Sequence, residues 1–171
     1  MRNKKVRVIT QAAMIAALYV VLTMIANALG LANYAIQVRF SEALCILPYF
    51  TVAAIPGLYV GCLIANILTG AIIWDILFGS LATLIGAIGA YALRKHKHLM
   101  TLPPIFANVV IVPFVLRYGY QFTWTYNGTD LAIPYFALTV GIGEIISVGI
   151  LGGMLLKVLL PYKNILFRQE H

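Results

Sequence analysis

Residues 8–29 read VITQAAMIAALYVVLTMIANAL, an uninterrupted apolar run that is long enough to cross a lipid bilayer as one helix. Basic residues precede the run at positions 2, 4, 5 and 7, as in the charged start of a secretory signal. The run is longer than the apolar region of a signal, and no small-residue cleavage site with a polar chain behind it follows. We therefore interpret it as a first membrane-spanning helix that is retained.

The composition of the whole chain supports a membrane setting. Of its 171 residues, 62% are hydrophobic and 10% are charged, and the mean hydropathy is +0.94. Soluble domains are about 45–50% apolar and about 25% charged. A water-soluble globule is excluded because too few polar residues remain to cover its surface, so lipid must cover the apolar excess.

The remaining apolar runs predict an all-α membrane protein with six transmembrane helices. The chain is then a single integral membrane domain over residues 1–171, with spans at about 8–29, 43–55, 58–73, 76–93, 102–116 and 133–160. Six spans of roughly 20 residues use ~120 residues, which leaves no room for a soluble catalytic domain. The phosphate-binding motif G-x-x-x-x-G-K-[ST] is also missing, so any ATP hydrolysis that drives transport must occur on another polypeptide.

The basic residues predict the orientation. With six spans, ten of the twelve Lys and Arg residues lie on one side, together with both termini, and the positive-inside rule makes that side cytoplasmic. Five spans would put the last basic residues outside. The net charge of +7 is therefore a signal of topology and does not indicate nucleic-acid binding. The run RKHKH at 94–98 is expected to meet anionic lipid head groups.

The other polar residues collect on the opposite half and predict a ligand site, because ionisable groups near a membrane interior are costly and mark sites or pathways. They are Gln37, Arg39, Glu42, Asn66, Asp75, Asn108, Arg117, Asp130 and Glu144. Glu144 follows Gly141 and Gly143, which allow close approach of a ligand or helix. The alternative for Glu144 is a purely structural ion pair with Arg117 or Arg39.

Residues 34–42 alternate between apolar and polar, which predicts an extended segment across the mouth of a pocket. Ser41 is a candidate helix N-cap with Glu42 in the first turn, and this capping role is the alternative to ligand binding for Glu42. Gln37 and Arg39 have no such local role. We therefore expect both to contact a ligand.

Aromatic residues crowd the connection 117–126. An aromatic belt at the membrane interface is one interpretation, and stacking of Tyr118 or Tyr120 on a flat ligand is the other. Trp74, beside Asp75 in another turn, is a third candidate for stacking. Asn127-Gly128 is a turn signal before it is a glycosylation site.

The first helix carries two overlapping pairs of small residues, Ala12 with Ala16 and Ala13 with Ala17, which suit either internal helix packing or docking of a partner protein. Cys45 and Cys62 lie in apolar runs and indicate neither a disulfide nor a metal site. The three histidines lie at cytoplasmic edges, so no catalytic constellation is apparent. We expect no cofactor, and an intramembrane enzyme is the least favoured interpretation.

Four stretches together resemble a known family: residues 11–19 (QAAMIAALY), 36–44 (IQVRFSEAL), 56–66 (PGLYVGCLIAN) and 75–84 (DILFGSLATL). They resemble the substrate-binding S components of energy-coupling factor (ECF) transporters, specifically the queuosine-precursor (QueT) family. The likeness covers about residues 10–93 strongly and 141–153 more loosely. The segment Q-x-R-x-S-E-A-L is quite specific, whereas the alanine motif is common to many S components.

The resemblance implies a six-helix S component in the bacterial plasma membrane that captures a 7-deazaguanine, either a queuosine precursor or queuine, from outside. It implies as partners a transmembrane coupling subunit, which meets Ala12, Ala13, Ala16 and Ala17, and two cytoplasmic ATPases. A carboxylate can accept both donors on the edge of a guanine ring, and Glu144 is our first choice for this role, ahead of Glu42 and Asp75. Arg39, Gln37 or Asn66 would donate to the ring carbonyl, and Trp74, Tyr118 or Tyr120 would stack on the ring.

Overall fold

The computed structural model describes residues 2–31 and 38–167, and most of them are helical. The helices are α1 (Arg2–Ala28), a 3-10 helix (Phe40–Tyr49), α2 (Ala54–Leu68), α3 (Ile73–Ala92), α4 (Leu102–Phe114), α5 (Ala132–Glu144), α6 (Gly153–Leu159) and α7 (Lys163–Leu166). A π-helical segment, Val115–Gly119, continues α4, and a second one, Ile145–Gly152, joins α5 to α6. A 3-10 turn, Leu160–Tyr162, precedes α7.

Four continuous helical stretches are long and apolar enough to cross a membrane: Lys4–Ala28, Ile73–Ala92, Leu102–Gly119 and Ala132–Leu166. Two shorter apolar helices, Phe40–Tyr49 and Ala54–Leu68, accompany them. The structure is thus mostly helical, and its four long apolar stretches support the predicted multi-pass membrane protein. Six full spans and cytoplasmic termini stay a prediction.

The segment predicted to be extended, residues 34–42, lies partly outside the described residues, which resume at position 38. Its described part differs from the prediction from Phe40 onward. Arg39 is extended, with φ −106° and ψ 110°, but the 3-10 helix already begins at Phe40, and Ser41 does not cap it. The hydroxyl of Ser41 instead accepts a hydrogen bond of 2.9 Å from Thr23. Residues 41–48 are buried on all sides, and a helix satisfies the backbone polar groups of such a segment internally, whereas a lone extended strand cannot.

Consecutive α-helices contact one another from α1 through α5, and the 3-10 helix lies inside this arrangement. It contacts α1, α3 and the segment Ile145–Gly152. Ile46 and Leu58 are completely buried beside Tyr19 and Val148 in the core. Large apolar side chains such as Phe106 point outward, as a lipid-covered surface requires.

Two glycines of α2 allow α1 to approach closely. A Cβ on Gly61 would lie 2.7 Å from the Cβ of Tyr19 and 3.0 Å from the Cα of Ala16, and a Cβ on Gly57 would lie 2.8 Å from the carbonyl oxygen of Ala12. Any larger residue at either position would push the helices apart. Ala12 and Ala16 therefore serve internal packing.

One end of the molecule carries a two-stranded antiparallel hairpin, β1 (Thr125–Tyr126) and β2 (Thr129–Asp130), and we call it the hairpin end. Its turn is Asn127-Gly128, with φ of 49° and 81°. Positive φ at both central residues is what a two-residue hairpin requires, and Asn-Gly supplies it at low cost. The predicted turn is confirmed.

Candidate ligand-binding site

A cavity of about 330 Å³ opens at the hairpin end. It lies among the C-terminal turns of α1 and α2, the N-terminal turn of α3, and the residues that follow α4. Four of the predicted site residues line it: Arg39, Asn66, Asp75 and Tyr120. Its volume is at the small end of the range of about 300–1,000 Å³ that is typical of ligand pockets, which suits a compact ligand.

Asp75 is the best-organised polar group of this cavity. It lies in the first turn of α3, where the positive end of the helix dipole favours a carboxylate. The Tyr120 hydroxyl donates to its Oδ2 at 3.0 Å, and the Asn66 side-chain amide donates to its backbone carbonyl at 3.2 Å. Gly79 leaves room for the carboxylate, because a Cβ there would lie 2.9 Å from the Asp75 Oδ1.

Tyr120 contributes a hydroxyl that stays protonated. Its burial, and then the charge of Asp75, raise the pKa of the Tyr120 phenol above its ordinary value. The hydroxyl is therefore a permanent donor, and the hydrogen bond keeps Asp75 oriented across the cavity.

Arg39 brings a positive charge to the same cavity. Its backbone N–H donates to the Ser147 hydroxyl at 3.2 Å, which ties the segment to the π-helical stretch after α5. Within residues 2–31 and 38–167 the guanidinium forms no ion pair with a carboxylate. Arg39 therefore adds a guanidinium to the polar wall of the cavity.

Glu42 and Glu144 lie deeper in the bundle and do not line the cavity. Glu42 is 2% exposed and accepts hydrogen bonds from the Tyr19 hydroxyl and from the Cys45 thiol, the latter at 3.1 Å. Glu144 is 8% exposed beside Asn108, and its Oε2 has no hydrogen-bond partner in the described part of the chain. Burial of a carboxylate oxygen without a hydrogen-bond partner is costly.

Arg117 does not form the structural ion pair with Glu144 that was one alternative to ligand binding. The Arg117 guanidinium is 2.6 Å from the Asp130 carboxylate, on the hairpin. The amide of Ala132 and this guanidinium lower the pKa of Asp130 below its ordinary value. Arg117 and Asp130 thus secure the base of the hairpin, away from Glu144.

The aromatic candidates separate into two places. Trp74 and Tyr118 line a different, apolar groove of about 520 Å³ between α3 and α4, together with Phe78 and Phe114. The structure therefore does not bring Trp74 and Tyr118 together with Asp75 and Tyr120 in one cavity. Phe122 does line the polar cavity, and our sequence reasoning missed it as an individual residue, although its place two positions after Tyr120 was a usable signal.

On α1, two polar residues that line the cavity were also missed, Thr23 and Asn27. Their four-residue spacing places two polar groups on one face of an otherwise apolar helix, which was a usable signal. Gln37 lies outside the described residues. The alanine pairs of α1 point in different directions, since Ala13 and Ala17 are exposed whereas Ala12 and Ala16 face α2.

Within the described residues, no cluster of three or more His, Cys, Asp or Glu side chains could hold a metal ion. The cavity instead combines a carboxylate, a guanidinium, an amide and two aromatic rings, which suits a planar ligand with both donors and acceptors.

Comparison with known proteins yields one match. A family model described as QueT transporter matches residues 9–161 of the chain, which includes every described residue of the cavity. No curated protein and no solved structure matches the chain.

Proposed function

This chain belongs to the QueT transporter family and is a multi-pass membrane transport protein, and from this premise we propose that it is the substrate-binding S component of an ECF transporter for queuosine precursors. In this role it captures 7-deazaguanines from outside the cell. It acts together with a coupling subunit and two ATPases, whose ATP hydrolysis drives release of the ligand inward. The observation that carries the proposal is the small polar cavity lined by Arg39, Asn66, Asp75 and Tyr120.

The proposal includes six spans with both termini in the cytoplasm of a bacterial cell. Basic residues in the first two turns of α1, between α3 and α4, and near α7 support this orientation through the positive-inside rule. The cavity then opens to the outside, where a scavenged nucleobase arrives.

Recognition of the base uses the polar wall of the cavity. Asp75 accepts hydrogen bonds from the ring N–H and exocyclic amine of a deazaguanine, and Arg39 or Asn66 donates to the ring carbonyl. Asp75 is favoured over Glu144 as the first contact because Asp75 lines the cavity. The unsatisfied Oε2 of Glu144 supports an inner role, in which it accepts from a donor that reaches past Arg39.

Docking of the coupling subunit is proposed for the exposed pair Ala13 and Ala17. These small side chains on the outer face of α1 permit close approach of another helix in lipid. Ala12 and Ala16 contribute indirectly, by holding α1 against α2.

Binding measurements on the purified protein test the assignment. We would titrate it with 7-cyano- and 7-aminomethyl-7-deazaguanine, queuine, guanine and riboflavin, and we expect at least one deazaguanine to bind most tightly. Asp75→Asn should weaken this binding, while Asp130→Asn, which changes a carboxylate outside the cavity, serves as the matched control. Binding of riboflavin but of no deazaguanine would contradict the substrate class and favour an S component for another heterocycle.

A further inference from the structure

The aromatic wall of the polar cavity consists of Tyr120 and Phe122. Their ring centroids are 5.5 Å apart and their planes are inclined by 21°. Tyr120 is held through its hydroxyl by Asp75, whereas Phe122 is 51% exposed although it borders the cavity. A half-exposed aromatic ring beside hydrogen-bonding groups suits a flat heterocycle. The Phe122 ring covers one face of the heterocycle, and the edge of the heterocycle meets the polar side chains.

The backbone holds both rings in this position. The Tyr120 amide donates to the Val115 carbonyl at 3.0 Å, and the Phe122 amide donates to the Leu116 carbonyl at 3.1 Å. Between them, Gln121 adopts φ of 58°, a left-handed conformation that residues other than Gly rarely adopt. Two hydrogen bonds therefore fix the segment to the π-helical turn that continues α4. The reversal of the backbone at Gln121 brings both aromatic side chains to one cavity.

We propose that Phe122 is the residue on which the flat ring system of the ligand stacks, in place of Trp74 or Tyr118. Those two residues line the apolar groove between α3 and α4, where no carboxylate or guanidinium lies among the lining residues. Stacking there would leave the donors and acceptors of the ligand without partners. At Phe122 the same ligand reaches Asp75 and Arg39 across a single cavity.

Stacking predicts a characteristic pattern of affinities. The face of an aromatic ring does not distinguish the substituents at the edge of a ligand, so loss of Phe122 should weaken all flat ligands by a similar factor. Loss of the Asp75 charge should instead weaken ligands according to the donors that they carry. This contrast distinguishes a residue that stacks on the ligand from one that recognises it through hydrogen bonds.

The test compares two Phe→Leu variants of matched exposure. Phe114, 49% exposed, lies in the apolar groove, and Phe122 lies in the cavity. We expect Phe122→Leu to raise Kd by roughly 5- to 150-fold, the range for loss of one base–aromatic stack, and Phe122→Tyr or Phe122→Trp to retain affinity. Phe114→Leu should change Kd by less than twofold, and thermal unfolding of both variants should match the wild type.

The inference rests on the proposed function only for the choice of ligand. If a deazaguanine binds the wild type and Phe122→Leu leaves its Kd unchanged, the stacking role is overturned while the proposed function stands. If another flat heterocycle binds in its place, the proposed substrate class is wrong. The change in Kd for that heterocycle in Phe122→Leu still decides whether Phe122 stacks on the ligand. A loss of affinity in Trp74→Leu with none in Phe122→Leu would also overturn it.

Discussion

Replacing Gly61 by alanine tests the closest helix contact of the fold. The added Cβ would lie 2.7 Å from the Cβ of Tyr19 and 3.0 Å from both the Cα and the carbonyl oxygen of Ala16. These atoms belong to the backbone or to the base of a side chain, so no flexible side-chain end can move away. Gly61→Ala must therefore separate α1 from α2.

The magnitude follows from two opposing contributions. Overpacking a close contact costs about 1–3 kcal/mol, whereas Gly→Ala in a helix interior by itself stabilises by roughly 0.5–1 kcal/mol. Gly153 offers the matched control, because it is helical and a Cβ there meets nothing within 4 Å. Both variants share the gain in helix propensity, so their difference in unfolding free energy isolates the packing cost and should be about 1–3 kcal/mol.

The assay is reversible unfolding in mixed detergent micelles, followed by circular dichroism, with wild type, Gly61→Ala and Gly153→Ala side by side. We also expect Gly61→Ala to weaken ligand binding, because separating α1 from α2 moves Thr23 and Asn27 away from Asn66 across the cavity that they line. Equal stability of the two variants would refute the close contact between α1 and α2.

Three further predictions concern the site and its surroundings. Asp75→Asn should lower affinity by roughly 10- to 150-fold, since hydrogen bonds to charged groups contribute about 1.5–3 kcal/mol, and calorimetry that finds an unchanged Kd would contradict this role. Ala13→Leu combined with Ala17→Leu should leave ligand affinity intact but abolish uptake into vesicles that contain the coupling subunit and ATPases, and normal uptake would exclude docking at this face. The lowered pKa of Asp130 means that the stabilisation of the hairpin by this carboxylate is present above its unfolded pKa and is lost as pH falls through the folded value. Protection of the Ala132 amide against hydrogen exchange, measured relative to the intrinsic exchange rate at each pH, should therefore be lost in acid in the wild type and be absent at all pH values in Asp130→Ala.

Sequence reasoning found four of the polar residues that line the cavity. Arg39, Asn66, Asp75 and Tyr120 come from four separate segments, and all four line one cavity. They could be predicted because a polar residue in an otherwise apolar chain must avoid lipid, and the hairpin end of the bundle is where such residues can meet.

Aromatic and small residues could not be assigned in this way. Phe122, Trp74 and Tyr118 are equally plausible from sequence, since each is compatible with a lipid interface or with a pocket. Only the rotation of α3 and α4 and the backbone reversal at Gln121 place Phe122 in the cavity and the other two in the apolar groove. The same holds for α1, where the facing glycines of α2 separate Ala12 from Ala13.

Sequence by itself determined that this protein is a helical membrane protein, because composition and the length of apolar runs are local properties that lipid converts directly into spanning helices. Tertiary structure alone decided that residues 40–49 form a buried 3-10 helix, that Phe122 lines the cavity, and that Glu144 is buried with an unsatisfied oxygen. An apolar helix surface can face either lipid or protein with little difference in free energy. Which face of a helix turns inward therefore depends on its packing against neighbouring helices, and the sequence of a single segment does not contain that information.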